Sequence, residues 1–208
     1  MVGLSLKNHR NTSLMALELI VGPMMSGKSK EQARRLNILA NVDDRIKVAY
    51  VNSVTDTRED GVFSCHDPEC KLSSKIKQFK LKKLADFDPM PYDKIGIDEF
   101  QFFSDGVEVV RNWVLKLGRN IVISALNGSY ERLNIGRTHE LLCIASDITL
   151  LKAICSRCMI QKKKPDKDSQ AIFSFCTLKE KNLSESGFLV GGAKEYQPMC
   201  LQCYNECA

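Results

Sequence analysis

The sequence predicts an α/β protein, a parallel sheet covered by helices, with a smaller metal-binding lobe at its C-terminal end. Strand-like and helix-like segments alternate from residue 15 to about residue 154, the pattern of a parallel sheet with helical crossovers. One strand-to-helix junction carries a glycine-rich G-x-x-x-x-G-K-S loop at residues 22–29. Beyond residue 154 the texture changes to paired cysteines, a lysine-rich stretch and short β-like runs. The expected organisation is a leader (1–14), an α/β domain (15–154) and a lobe (155–208), which a chain of 208 residues can accommodate.

The first strand is expected at Met15–Val21 (MALELIV), a short apolar run. From Lys28 the sequence KSKEQARRLNILA places Ala33, Leu36, Leu39 and Ala40 at helical spacing. Further strands are expected at Ile46–Asn52, Lys94–Asp98 and Ile121–Leu126. Between the last two, Val107, Val110, Trp113, Val114 and Leu117 share one helical face, closed by Gly118. Residues 137–145 read as a short helix and Ile148–Ile154 as a fifth strand; Ala171–Leu178 and Phe188–Val190 are β-like runs of the lobe. Residues 62–92 mix charge with small apolar patches and give no clear element.

The composition, 44% hydrophobic and 26% charged, is that of an ordinary globular protein. A net charge of +5 suits anionic ligands, but no dense basic stripe with interleaved aromatics points to nucleic acid. The Lys162–Lys164 run reads as a solvated loop. No run of about 18 apolar residues is present, so no membrane span is expected, and the first 14 residues lack the apolar core of a signal peptide. Nine cysteines, an odd number, fit a reducing compartment, and a cytoplasmic protein is expected.

Gly22, Pro23, Met24, Met25, Ser26, Gly27, Lys28 and Ser29 form the glycine-rich loop. Consecutive backbone N–H groups of such a loop wrap an anion, Lys28 reaches the β- and γ-phosphates of a nucleoside triphosphate, and the Ser29 hydroxyl can ligate Mg²⁺. The loop ends at a helix N-terminus, whose dipole also favours phosphate. A chance match in a turn is the alternative, and the strand–loop–helix frame argues against it. Ile95–Glu99 is an apolar strand ending in two carboxylates. Asp98 reads as the group beside the metal and Glu99 as a general base; a solvated strand end is the other reading. Cys155 with Cys158 and Cys200 with Cys203 form two C-x-x-C pairs, the ligand set of a closed structural zinc site. A redox motif needs only one such pair. Cys65, Cys70, Cys143 and Cys176 read as small apolar residues or incidental thiols, and Cys207 has no partner at C-x-x-C spacing.

These segments, with DTR at 56–58, HD at 66–67, IDEFQFF at 97–103, ALNGSYERLNIG at 125–136 and GGAKEYQPMCLQCY at 191–204, resemble the cytosolic-type thymidine kinases over about residues 16–204. The resemblance implies a RecA-like P-loop domain, a structural Zn²⁺ in the lobe, and transfer of the γ-phosphate of ATP, with Mg²⁺, to the 5′-hydroxyl of thymidine and of deoxyuridine. It places Gly22 to Ser29 on the donor, with Ser29 and Asp98 toward magnesium. Asp56, Thr57 and Arg58 approach the phosphates, and Asp98, Glu99, Phe100 and Gln101 contact the donor or its metal. Glu99, Lys28 and Arg58 are the implied catalytic residues. Met24, Phe102, Leu126 and Tyr130 would pack beside the base, Gly187, Phe188, Leu189, Val190 and Gly191 would lie over it, and Tyr196 would close the pocket. From the residues alone, Phe102, Phe103 and Tyr130 could equally be core. Feedback inhibition by thymidine triphosphate and a homotetramer follow from the resemblance only.

The sequence departs from the family pattern at several positions. Met159–Ser169 carries an insertion of about nine residues; Ser174 stands where threonine is frequent near the base, and Cys176 where arginine is frequent. Phe100 replaces a small residue and Ile135 an aromatic one. These changes bear on substrate range more than on reaction type. A nucleic-acid-stimulated ATPase with a zinc lobe is the alternative from another class.

Overall fold

The strands β1 (Leu17–Gly22), β2 (Val48–Ser53), β3 (Lys77–Leu81), β4 (Lys94–Ile97), β5 (Asn120–Leu126) and β6 (Asp147–Leu150) run parallel in one sheet, in the spatial order β3-β2-β4-β5-β1-β6. The computed structural model describes residues 16–57, 61–63, 65, 67, 69–162, 169–178, 191, 192 and 194–207. The expected leader, Arg58, the run Phe188–Val190 with Gly187, and most of the lysine-rich insertion lie outside the described residues.

Strands buried on both faces must send alternate side chains into two separate cores. Leu17 and Leu19 of β1, Val51 of β2 and Ile121 and Ile123 of β5 enter one cluster, with Val107, Val110 and Trp113 of helix α2 (Gly106–Leu115). Ile20, Tyr50 and Val122 point the other way, onto Leu36 and Ala40 of helix α1 (Lys28–Val42). Helices thus cover both faces, and the chain has the expected α/β, RecA-like architecture. Gly118, at φ 62, follows α2, and the Arg119 amide turns back to the Trp113 carbonyl at 2.9 Å, closing the helix as its sequence predicts.

Several expected elements differ. β3 had no apolar signature because it is an edge strand, exposed at Lys77 and Gln78 and half-buried thereafter; edge strands commonly carry lysine, which discourages pairing with other chains. The expected fifth strand is two elements in different sheets. The Leu151 amide still bonds the Val21 carbonyl at 2.8 Å, and the chain then leaves the main sheet. β7 (Ala153–Ile154) pairs antiparallel with β8 (Gln170–Ala171). The short helix expected at 137–145 is present, as a 3₁₀ helix over Thr138–Ile144. In the lobe, the expected run at 171–178 is interrupted at Ile172, and β9 (Phe173–Cys176) pairs antiparallel with β10 (Tyr196–Met199). Two short helices, α3 (Ser156–Lys162) and α4 (Leu201–Cys207), complete it. Among the described residues no helix is long and apolar enough to cross a membrane.

Candidate active site and metal centre

The carboxyl ends of parallel strands form the crevice where α/β proteins bind ligands. Here β1 opens directly into the glycine-rich loop, while β5 separates it from β4 and its acidic tip. At Gly22 a Cβ would lie 2.6 Å from both the Leu151 carbonyl oxygen and Ser26 Oγ, so only glycine fits. Gly27, at φ 83, turns the chain into α1, and Met25 holds a left-handed φ of 61, a conformation costly for a side-chain-bearing residue and concentrated at functional sites. Lys28 is buried and folds back so that Nζ donates to the Pro23 carbonyl at 2.8 Å. Ser29 sits half-buried in the first turn of α1. Ser26 Oγ is buried without a hydrogen-bond partner. Such a group costs about 1–3 kcal/mol until an acceptor or donor meets it, and a phosphate-bearing ligand in the loop would supply one. The loop therefore fits a nucleoside triphosphate.

Asp98 follows β4 and is fully enclosed. Its Oδ2 accepts from the Tyr50 hydroxyl at 2.9 Å, and its Oδ1 from the Glu99 amide at 2.9 Å and from the Ser124 hydroxyl. Three of the roughly four lone-pair sites of a carboxylate are thus engaged, which leaves it suited to a metal-bound water. Burial pushes the Tyr50 phenol well above its ordinary range, and the negative charges of Asp98, Glu99 and Asp56 add to this. Three acidic side chains therefore gather around one buried tyrosine, an arrangement that favours cations in the crevice. Asp56 is itself buried and accepts from Asn52 Nδ2 at 3.1 Å, whereas Thr57 is exposed.

Glu99 adopts φ 48, a second left-handed non-glycine residue, and its buried carboxylate accepts from Gln101 Nε2. Gln101 Oε1 in turn accepts from the Leu126 amide at 3.2 Å, tying the acidic turn to the end of β5. The turn sends the Phe100 ring into the main core against Gly106, whose added Cβ would come within 2.8 Å of it. Only the backbone of Phe100 remains for a donor.

Met24, Cys176 and Tyr196 are buried together, with Met25, Leu126 and Tyr130 packed around them. The Tyr130 and Tyr196 rings lie 6.3 Å apart. Burial, then the neighbouring Cys176, raises the Tyr196 phenol above its ordinary range. Three of the residues expected beside a base (Met24, Leu126 and Tyr130) are thus brought together with Tyr196, expected to close the pocket. Phe102 is half-buried and outside this cluster. Gly191 lies next to Glu195, one residue before Tyr196. Cys176, read from the sequence as a small apolar residue or an incidental thiol, is buried in this apolar cluster.

In the lobe, the sulfurs of Cys155, Cys158, Cys200 and Cys203 all lie within 4.8 Å of one another and all four residues are buried. Cys158 Sγ is 3.8 Å from Cys200 Sγ and 3.6 Å from Cys203 Sγ. A tetrahedron of sulfurs at about 2.3 Å from a central zinc has edges of about 3.8 Å, so the thiols fit that ion. Ala153, Ala171, Met199 and Tyr204 pack about them as the lobe's small core. The lobe is tied to the α/β domain by Ser174 Oγ, which accepts from the Met24 amide at 2.9 Å. It is tied also by Asn127 Nδ2 to the Ile172 carbonyl, and by the Tyr204 hydroxyl to the Tyr130 carbonyl.

A loop of this geometry, opening into a crevice with an anchored acid, places the chain among the P-loop proteins that handle nucleoside triphosphates. Comparison with known proteins narrows the class. The family model described as thymidine kinase matches residues 15–204. The cytosolic thymidine kinase of Bos taurus is 29% identical over 195 residues, 90% of this chain and 71% of that protein. The thymidine kinase of Mesomycoplasma hyopneumoniae strain 7448 is 30% identical, covering 91% of this chain and 95% of its own. That of sheeppox virus is 31% identical, covering 90% and 96%. The chain belongs to the thymidine kinase family.

Proposed function

We propose that this chain transfers the γ-phosphate of ATP to the 5′-hydroxyl of thymidine, and to that of deoxyuridine. The observation that carries the reading is the double membership of Met24, which belongs both to the phosphate loop and to the apolar cluster with Tyr130 and Tyr196. Donor and acceptor pockets meet at that residue. In the reaction the nucleoside oxygen bonds to the γ-phosphorus, the bond from that phosphorus to the ADP oxygen breaks, and the hydroxyl proton passes to Glu99. Lys28 binds the β- and γ-oxygens, and Arg58 offsets charge on the moving group. Ser29 and Asp98 would hold Mg²⁺, which would neutralise phosphate charge. Gly187 to Gly191 cover the base, with Tyr196 at the pocket wall. The leader, α/β domain and lobe act as the three units of the chain. A homotetramer, inhibition by thymidine triphosphate, and cytoplasmic residence without nucleic-acid partners belong to the same proposal.

ADP release measured with thymidine, and separately with DNA, as the only stimulant tests the reading. Stimulation by thymidine supports it; stimulation by DNA alone points to a nucleic-acid-dependent ATPase.

A further inference from the structure

The peptide unit joining Pro23 to Met24 is clamped from both ends. Its carbonyl accepts from Lys28 Nζ at 2.8 Å, and its N–H donates to Ser174 Oγ at 2.9 Å, a contact across 150 residues. Ser174 is buried, and it is held by register rather than by its own loop. It lies opposite Pro198 in the β9–β10 pair, and β10 runs on within two residues to Cys200 of the thiolate cluster. A metal that fixes Cys200 fixes β10, hence β9, hence the hydroxyl on the Met24 amide.

The clamp becomes asymmetric when a nucleotide binds. A lysine ammonium has three donors, and turning them toward phosphate weakens its hold on the Pro23 carbonyl, which also receives the Ser26 amide at 3.4 Å, while the Met24 N–H stays on the Ser174 hydroxyl. We propose that Ser174 is a positioning residue through which metal in the four-cysteine lobe sets the backbone of the phosphate loop and so tightens nucleotide binding. The inference rests on the phosphate-loop reading above and adds to it a route by which a distant structural ion affects donor affinity.

The test compares wild-type protein, Ser174→Ala and Ser174→Thr, each assayed for zinc content, for ADP affinity by calorimetry, and for KM and kcat. With zinc content unchanged, Ser174→Ala should weaken ADP binding and raise KM for ATP at least about fivefold, as expected for an unpaired buried amide. Ser174→Thr, which keeps the hydroxyl, should restore affinity. Wild-type affinity in a zinc-replete Ser174→Ala protein overturns the proposal. Wild-type protein that binds no ADP overturns the phosphate-loop reading itself. Should Ser174→Ala fail to fold, amide hydrogen exchange of the wild type with and without a zinc chelator decides. Faster exchange at Met24, with α2 still protected, supports the route. Unchanged exchange at Met24, or loss of protection everywhere at once, refutes it.

Discussion

Replacing Tyr50 with phenylalanine isolates one bond of the buried acid at the tip of β4. The ring itself is retained and keeps its edge-on contact with Phe63, whose centroid is 5.3 Å away. What is lost is the hydroxyl that donates to Asp98 Oδ2 at 2.9 Å between two fully enclosed groups. A hydrogen bond to a charged partner is worth about 1.5–3 kcal/mol. For a chain of this size each kcal/mol corresponds to roughly 2–4 °C in Tm, so Tyr50→Phe should melt about 3–12 °C lower. Urea unfolding followed by Trp113, the sole tryptophan and buried in α2, measures the free energy directly. The midpoint should fall with an unchanged m-value. A loss below about 0.5 kcal/mol would mean that Asp98 is not a carboxylate anchored by this phenol.

Three further outcomes follow from the same contacts. Arg34 hydrogen bonds hold the Glu31 carboxyl down to about 2, burial opposing and Arg35 assisting. Because its folded value lies below the ordinary glutamate value of 4.5, the stabilisation is present above that value and is lost as pH falls toward 2. Glu31→Gln should therefore be less stable than wild type at pH 7, with the difference vanishing near pH 2 in denaturant titrations. Elemental analysis should find one zinc per wild-type chain and none in Cys158→Ser, which should lose the lobe's short strands as well. Glu99→Gln should reduce turnover by about 10²–10⁴-fold with nucleotide affinity and melting temperature near those of wild type; near-full turnover removes Glu99 from the role of base.

Much of the fold was legible because strands buried on both faces are continuous apolar runs, as at Ile121–Leu126, and because the phosphate loop needs glycine where Gly22 and Gly27 stand. β3 was not legible, since an edge strand carrying Lys77 and Lys80 looks like a charged loop. The run Ile148–Ile154 misled because apolar composition cannot register that the chain leaves one sheet after Leu150 and enters another at Ala153. Phe100 stood among site residues in sequence, but the left-handed turn at Glu99 directs its ring into the core. The contacts of Ser174 with Met24 and of Cys176 with Tyr196 depend on how the lobe docks, and no local pattern encodes them.

The most direct measurement is product formation from labelled ATP and Mg²⁺ with thymidine, deoxyuridine and deoxycytidine offered separately. Thymidine monophosphate should form with thymidine, and deoxycytidine should be rejected, because a site matched to one base edge leaves buried polar groups unpaired on another. ATP hydrolysis without any nucleoside monophosphate would contradict the assignment.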